Sequence, residues 1–153
     1  MGDCRGPTAE FRHTFRSRSA DDQRTLEMLT AWAERLCNED VAELAFGESP
    51  AGRDRWLAIC PPGQTALLHV VNSDTGHHVN VYSYSYGSLG PDRFLEERLG
   101  GSRKALAALE RAESLADGEK LWITSFSSPT LDALRDLLVL ARDRAQGSAR
   151  SST

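Results

Sequence analysis

Three histidines, His69, His77 and His78, lie close together in this chain. Histidine is the side chain best suited to ligate a metal or move a proton near neutral pH. His77 and His78 are consecutive in a run of strand character, so their side chains point to opposite faces. Only His69 and His78 can share a surface, and no carboxylate or cysteine joins them at ligand spacing. A zinc centre needs more ligands than that, so no metal site is expected. As an acid–base pair the two histidines remain usable, with Asn80 and Tyr82 placed to orient a substrate. Ser88 sits between a strand and a helix, where hydrolase nucleophiles are often found. The sharp turn that presents such a serine needs small residues two before and two after it. Gly90 meets this requirement and Tyr86 does not. The glycines at 87, 90, 100 and 101 come with neither a Walker lysine nor a dinucleotide fingerprint. No catalytic residue is therefore assigned, and no cofactor is expected.

These residues sit in the run His77–Gly90, HHVNVYSYSYGSLG, which alternates with a period of two. That period is a strand signature, and it makes the two faces chemically different. One face carries Val79, Val81, Ser83 and Ser85. The other carries His78, Asn80, Tyr82, Tyr84 and Tyr86.

Positioning that strand requires neighbours. A helix is expected from Asp21 to Asn38, capped by Ser19 or Asp21, with Leu26, Leu29, Ala33, Leu36 and Cys37 as its apolar stripe and Trp32 widening it. Four strands follow: Val41–Phe46, Arg55–Cys60, Thr65–Asn72 and His77–Tyr86. The short turns between them imply an antiparallel meander. Beyond Gly90 the period becomes helical. Helices are expected at Pro91–Leu99 and Ser102–Ala116, then a fifth strand at Lys120–Phe126, then a last helix. The last helix is capped by serine before Pro129 and striped by Leu131, Leu134, Leu138, Ala141 and Ala145. The order is an N-terminal helix, a four-stranded meander, two helices, a fifth strand and a C-terminal helix, an α+β architecture. It places one domain at 20–146, between a flexible basic arm (1–19) and a flexible tail (147–153).

Four-residue turns at Pro61–Gln64 and Ser73–Gly76 set an expected register. Trp56 then lies opposite His69, Ala58 opposite Leu67, and His69 opposite Asn80. A slip of two residues changes the partners and keeps the faces. One face becomes aliphatic, with Leu57, Ile59, Ala66, Leu68, Val70, Val79 and Val81. The other gathers Trp56, Ala58, Leu67, His69, Val71, His78, Asn80, Tyr82, Tyr84 and Tyr86. Aromatic groups with polar tips suit a contact surface, although cross-strand aromatic pairs also serve simply to stabilise a sheet. The functional expectation is an acidic, non-enzymatic interaction protein, of adaptor, chaperone or immunity type. It would bind a protein partner, or itself as a homo-oligomer, through this face. The alternative is a small-ligand-binding protein or enzyme using His69 and His78.

The net charge of −4 argues against a nucleic-acid partner. Residues 1–20 nonetheless carry a net +2, from Arg5, Arg12, Arg16 and Arg18 against Asp3 and Glu10. Phe11 and Phe15, four residues apart, are read as part of this loose arm, with one helical turn on a partner as the alternative. Cys4, Cys37 and Cys60 are odd in number and widely spaced, so no disulfide framework is expected. Cys37 and Cys60 read as small core residues in a reducing compartment. With no membrane-length apolar run, a soluble cytoplasmic protein is expected. The order of elements resembles the core of the PD-(D/E)XK nucleases, with Asp54 at the position of the first acid. The next strand opens Gln64-Thr65-Ala66 and supplies no lysine. The resemblance thus implies at most a nuclease-like scaffold without catalysis. The same order is similar to small acidic secretion chaperones.

Overall fold

Residues 5–15, expected in a loose arm, are helical and packed. In the computed structural model, which describes residues 4–16, 18–74, 76–81, 91–114, 122–124 and 126–151, helix α1 spans Arg5–Arg12 and a 3₁₀ turn follows at His13–Phe15. Phe11 and Phe15 are both buried and meet edge to face, with ring centroids 5.2 Å apart. Their partner is the chain itself, because α1 packs on the following helix and the first two strands. Helix α2, Ala20–Asn38, starts one residue earlier than expected. Ser19 Oγ accepts the Asp22 N–H at 3.2 Å, and Asp21 and Asp22 face the positive end of the helix dipole. The stripe Leu26, Leu29, Ala33, Leu36 and Cys37 is buried together with Trp32.

The reading of Cys4 and Cys37 as thiols is overturned: they form a disulfide, with Cα atoms 5.8 Å apart. Only an ordered, antiparallel α1 brings these ends together. The expectation of a reducing compartment loses its main support with them. Cys60 remains a thiol.

The first unit, residues 1–80, continues with strands β1 (Glu43–Glu48), β2 (Asp54–Cys60), β3 (Leu68–Ser73) and β4 (Gly76–Val81). They form an antiparallel sheet in the order β1-β2-β3-β4. β1 begins at Glu43 because Val41 is taken by the close of α2, where its N–H donates to Leu36 O at 2.9 Å and Asp40 turns left-handed at φ 59°. The β2–β3 register differs from expectation by two residues: Trp56 lies opposite Val71, Leu57 opposite Val70, and Ala58 opposite His69. The connection is longer than a four-residue turn. Gln64 N–H closes on Pro61 O at 2.9 Å around a left-handed Gly63 (φ 74°), and Leu67 N–H then returns to Ile59 O at 3.0 Å. Leu67 is buried in this connection, and β3 starts at Leu68.

A slip of two preserves the faces. Leu57, Ile59, Leu68, Val70 and Val79 are fully buried. Asn72, of the same parity, donates from Nδ2 to Thr14 O at 3.1 Å, which puts this face beneath the helical layer. The core of the first unit therefore lies between α1–α2 and the aliphatic face of the sheet.

The second unit, residues 81–153, holds α3 (Pro91–Leu99), α4 (Arg103–Ser114), a two-residue extended segment at Trp122–Ile123, and α5 (Ser128–Ser151). The Gly100-Gly101 break works as expected: both are left-handed, and Gly101 N–H caps α3 by donating to Leu95 O at 3.0 Å. Ser102 Oγ accepts the Ala105 N–H at 3.1 Å. Leu109, Ala112, Leu134, Leu137, Leu138 and Ala141 are buried. α5 runs on to Ser151, so residues 147–151, expected in a tail, are helical. Among the described residues, no helix is long and apolar enough to cross a membrane.

Candidate functional site

The second face of the sheet, away from α1 and α2, is built from the other strand parity. β1 contributes Ala45 and Gly47, β2 contributes Trp56 and Ala58, and β3 contributes His69 and Val71. On β4 the parity is fixed by His77, whose Nδ1 lies 3.5 Å from Asp22 Oδ1 of α2. His77 therefore points toward the helices, and His78 and Asn80 point to the second face. The two adjacent histidines are separated by the sheet, as the alternation implies.

The centre of the face is a stack of Trp56 and His69. Their rings lie 5.8 Å apart and 16° from parallel. The two residues are diagonal neighbours, since Trp56 lies directly opposite Val71 and His69 opposite Ala58. On the other side of β2, Trp56 pairs with Gly47. A Cβ on Gly47 would collide with Trp56 Nε1 and lie 2.6 Å from Cε2, so the indole lies across the bare glycine. Three strands thus shape one aromatic platform: β1 by lacking a side chain, β2 by the indole, and β3 by the imidazole.

Gly47→Ala tests this arrangement. A rigid indole cannot fold out of the way as a flexible chain end can, so the methyl group should lift the ring and break its stack on His69. Overpacking of this kind costs about 1–3 kcal/mol. Urea denaturation should show that loss, with a changed near-ultraviolet circular dichroism spectrum. Wild-type values for both would mean that the ring does not rest on Gly47.

Burial sets the charge of the face. It lowers the pKa of His69 to about 4. It also lowers that of His78, against the opposing pull of Asp54. Both imidazoles are neutral near pH 7. A neutral imidazole with so low a pKa is a weak base at that pH, but it retains a flat ring and a hydrogen-bonding edge. Asn80 is only 2% exposed, so of the named polar groups it is the one withdrawn from the surface. Trp56, His69 and His78 are half-buried.

The structure brings Trp56, His69, His78 and Asn80 onto one face. Tyr82, Tyr84, Tyr86 and Ser88 lie outside the described residues. Among the described residues, no group of three or more His, Cys, Asp or Glu side chains is arranged to hold a metal ion. Sequence reasoning missed Gly47. Its signal was the β1–β2 register, which places a glycine directly opposite a tryptophan. No family model, curated protein or solved structure matches the chain.

Proposed function

We propose that this chain is a non-enzymatic interaction protein that binds a protein partner, or a second copy of itself, through the second face of its sheet. The observation that carries this reading is the Trp56–His69 stack, half-buried and laid across Gly47. Tryptophan on a preformed platform loses little freedom on binding and is a frequent hot-spot residue. The low pKa of His69 favours contact over proton transfer. Tyr82, Tyr84 and Tyr86 join the proposed surface on the alternation of the sequence alone.

Trp56→Ala is the decisive variant. Truncating a hot-spot aromatic costs about 2 kcal/mol, or roughly 30-fold in affinity. Sedimentation velocity over a concentration series should show self-association weakened by about that factor, or pull-down of a purified partner should be lost to the same extent. If the folded Trp56→Ala protein kept both properties of the wild type, the face would have a purely stabilising role.

A further inference from the structure

Among the described residues, three buried side-chain atoms find no hydrogen-bond partner within the protein: Arg18 Nε, Arg55 Nε and Asn72 Oδ1. Buried polar atoms are nearly always paired, so each orphan calls for a partner. The three belong to one neighbourhood. Arg55 stands directly across the β2–β3 ladder from Asn72. Both share the parity of the aliphatic face, so both side chains point toward the helical layer. Arg18 comes from the segment that enters α2, and its Nη1 donates to Ser73 O at 2.9 Å, one residue along from Asn72.

The remaining atoms of these side chains are held in place. Asn72 is 0% exposed. Its Nδ2 donates to Thr14 O at 3.1 Å and to Thr14 Oγ1 at 2.9 Å. Thr14 Oγ1 spends its own hydrogen on Phe11 O at 2.7 Å. Both Thr14 atoms are therefore acceptors, and only the amide nitrogen of Asn72 can face them. The orphan is thus an oxygen. Arg55 Nη1 donates to Gly52 O at 2.7 Å. The arginine side chains are 12% and 13% exposed, which leaves bulk solvent little access to either Nε.

The missing partner must accept from two N–H groups and donate to one carbonyl oxygen. It must also be neutral, because each guanidinium already has its counter-charge. Asp22 Oδ2 lies 3.4 Å from Arg18 Nη2, and Asp74 Oδ1 lies 3.1 Å from Arg55 Nη1. An unprotonated anion would bring no donor to Asn72 Oδ1 and would add an unbalanced charge. Water meets every requirement. Buried waters typically make about three hydrogen bonds, to groups that otherwise lack them.

We propose that Arg18, Arg55 and Asn72 form a binding site for one internal water molecule. The water accepts from Arg18 Nε–H and Arg55 Nε–H and donates to Asn72 Oδ1. It ties the entry of α2 to the paired ends of β2 and β3.

A high-resolution crystal structure of the full chain, grown without sulfate or phosphate, tests the site. One spherical peak should lie within about 2.7–3.2 Å of all three atoms. In solution, rotating-frame Overhauser spectra should link the Nε protons of Arg18 and Arg55 to the water line. Those cross-peaks should have the sign of dipolar transfer, opposite to that of chemical exchange. Inorganic phosphate should give the same urea midpoint as chloride at equal ionic strength. A peak that reaches only one of the atoms would overturn the proposal. So would a direct bond from either Nε to Asn72 Oδ1, or the loss of both dipolar cross-peaks. A midpoint raised by phosphate would overturn it as well, because the site would then hold an anion.

Discussion

Phe11→Ala should lower the stability of the first unit by about 3–5 kcal/mol, the range for a fully buried phenylalanine cut back to a methyl group. Phe11 is 0% exposed and meets Phe15 edge to face at 83°, so its removal forfeits an aromatic contact as well as a buried surface. The cavity has little means of collapsing. Its walls are α1 itself, α2 and strands already paired in register. Nor can α1 relieve it by leaving, because Cys4 remains bonded to Cys37. Equilibrium urea denaturation of both proteins measures the difference. A loss below about 1 kcal/mol would show that α1 is not part of the core.

Acidification is expected to cost the fold about 3 kcal/mol through His69 alone. The pKa of His69 falls from 6.5 to about 4 on folding because burial disfavours the imidazolium. Above pH 6.5 neither state holds the proton, and the contribution is fully present. Between pH 6.5 and about 4 the unfolded chain takes the proton and the folded chain does not, so stability declines as pH falls. Below about 4 both states are protonated and the loss levels off. A depression of this size corresponds to about 3 kcal/mol at 1.36 kcal/mol per pH unit. His78 is lowered as well and adds in the same direction. Carboxylates elsewhere also titrate in this window, so the measurement is a difference. Urea midpoints from pH 7 to pH 4 should fall much less steeply for His69→Gln than for wild type. Parallel slopes would mean that His69 is hydrated in the folded state.

The faces of this sheet were legible because a strand's period is two. Leu57, Ile59, Leu68, Val70 and Val79 could be assigned to the core without any pairing being known. The pairings themselves were not legible. They depend on where a loop ends, and the burial of Leu67 moved the start of β3 from Thr65 to Leu68. Because the resulting slip was even, the candidate site survived the error. A slip of one would have buried His69 and exposed Val70.

The N-terminal helix was missed for a different reason. Residues 5–12 contain Gly6 and Pro7 and no helix-start signal, so local propensity argued against the helix that tertiary contacts create. Phe11 and Phe15 were the visible trace of those contacts, at helical spacing. The disulfide followed from the same omission, since Cys4 has no reason to meet Cys37 unless α1 runs back along α2. Gly47 was hidden because its role is to lack a side chain under one ring, and only the backbone pairing makes that visible.

The Cys4–Cys37 bond also has a mechanical meaning. It closes residues 4–37 into a covalent ring, and the chain enters and leaves that ring at points 5.8 Å apart. Tension applied to the chain ahead of Cys4 crosses the sulfur bridge and passes directly into the approach to β1. The α1–α2 hairpin lies outside this path and bears none of the pull. The edge strand and the start of the chain are therefore coupled through two side chains, and the helices covering the core are spared.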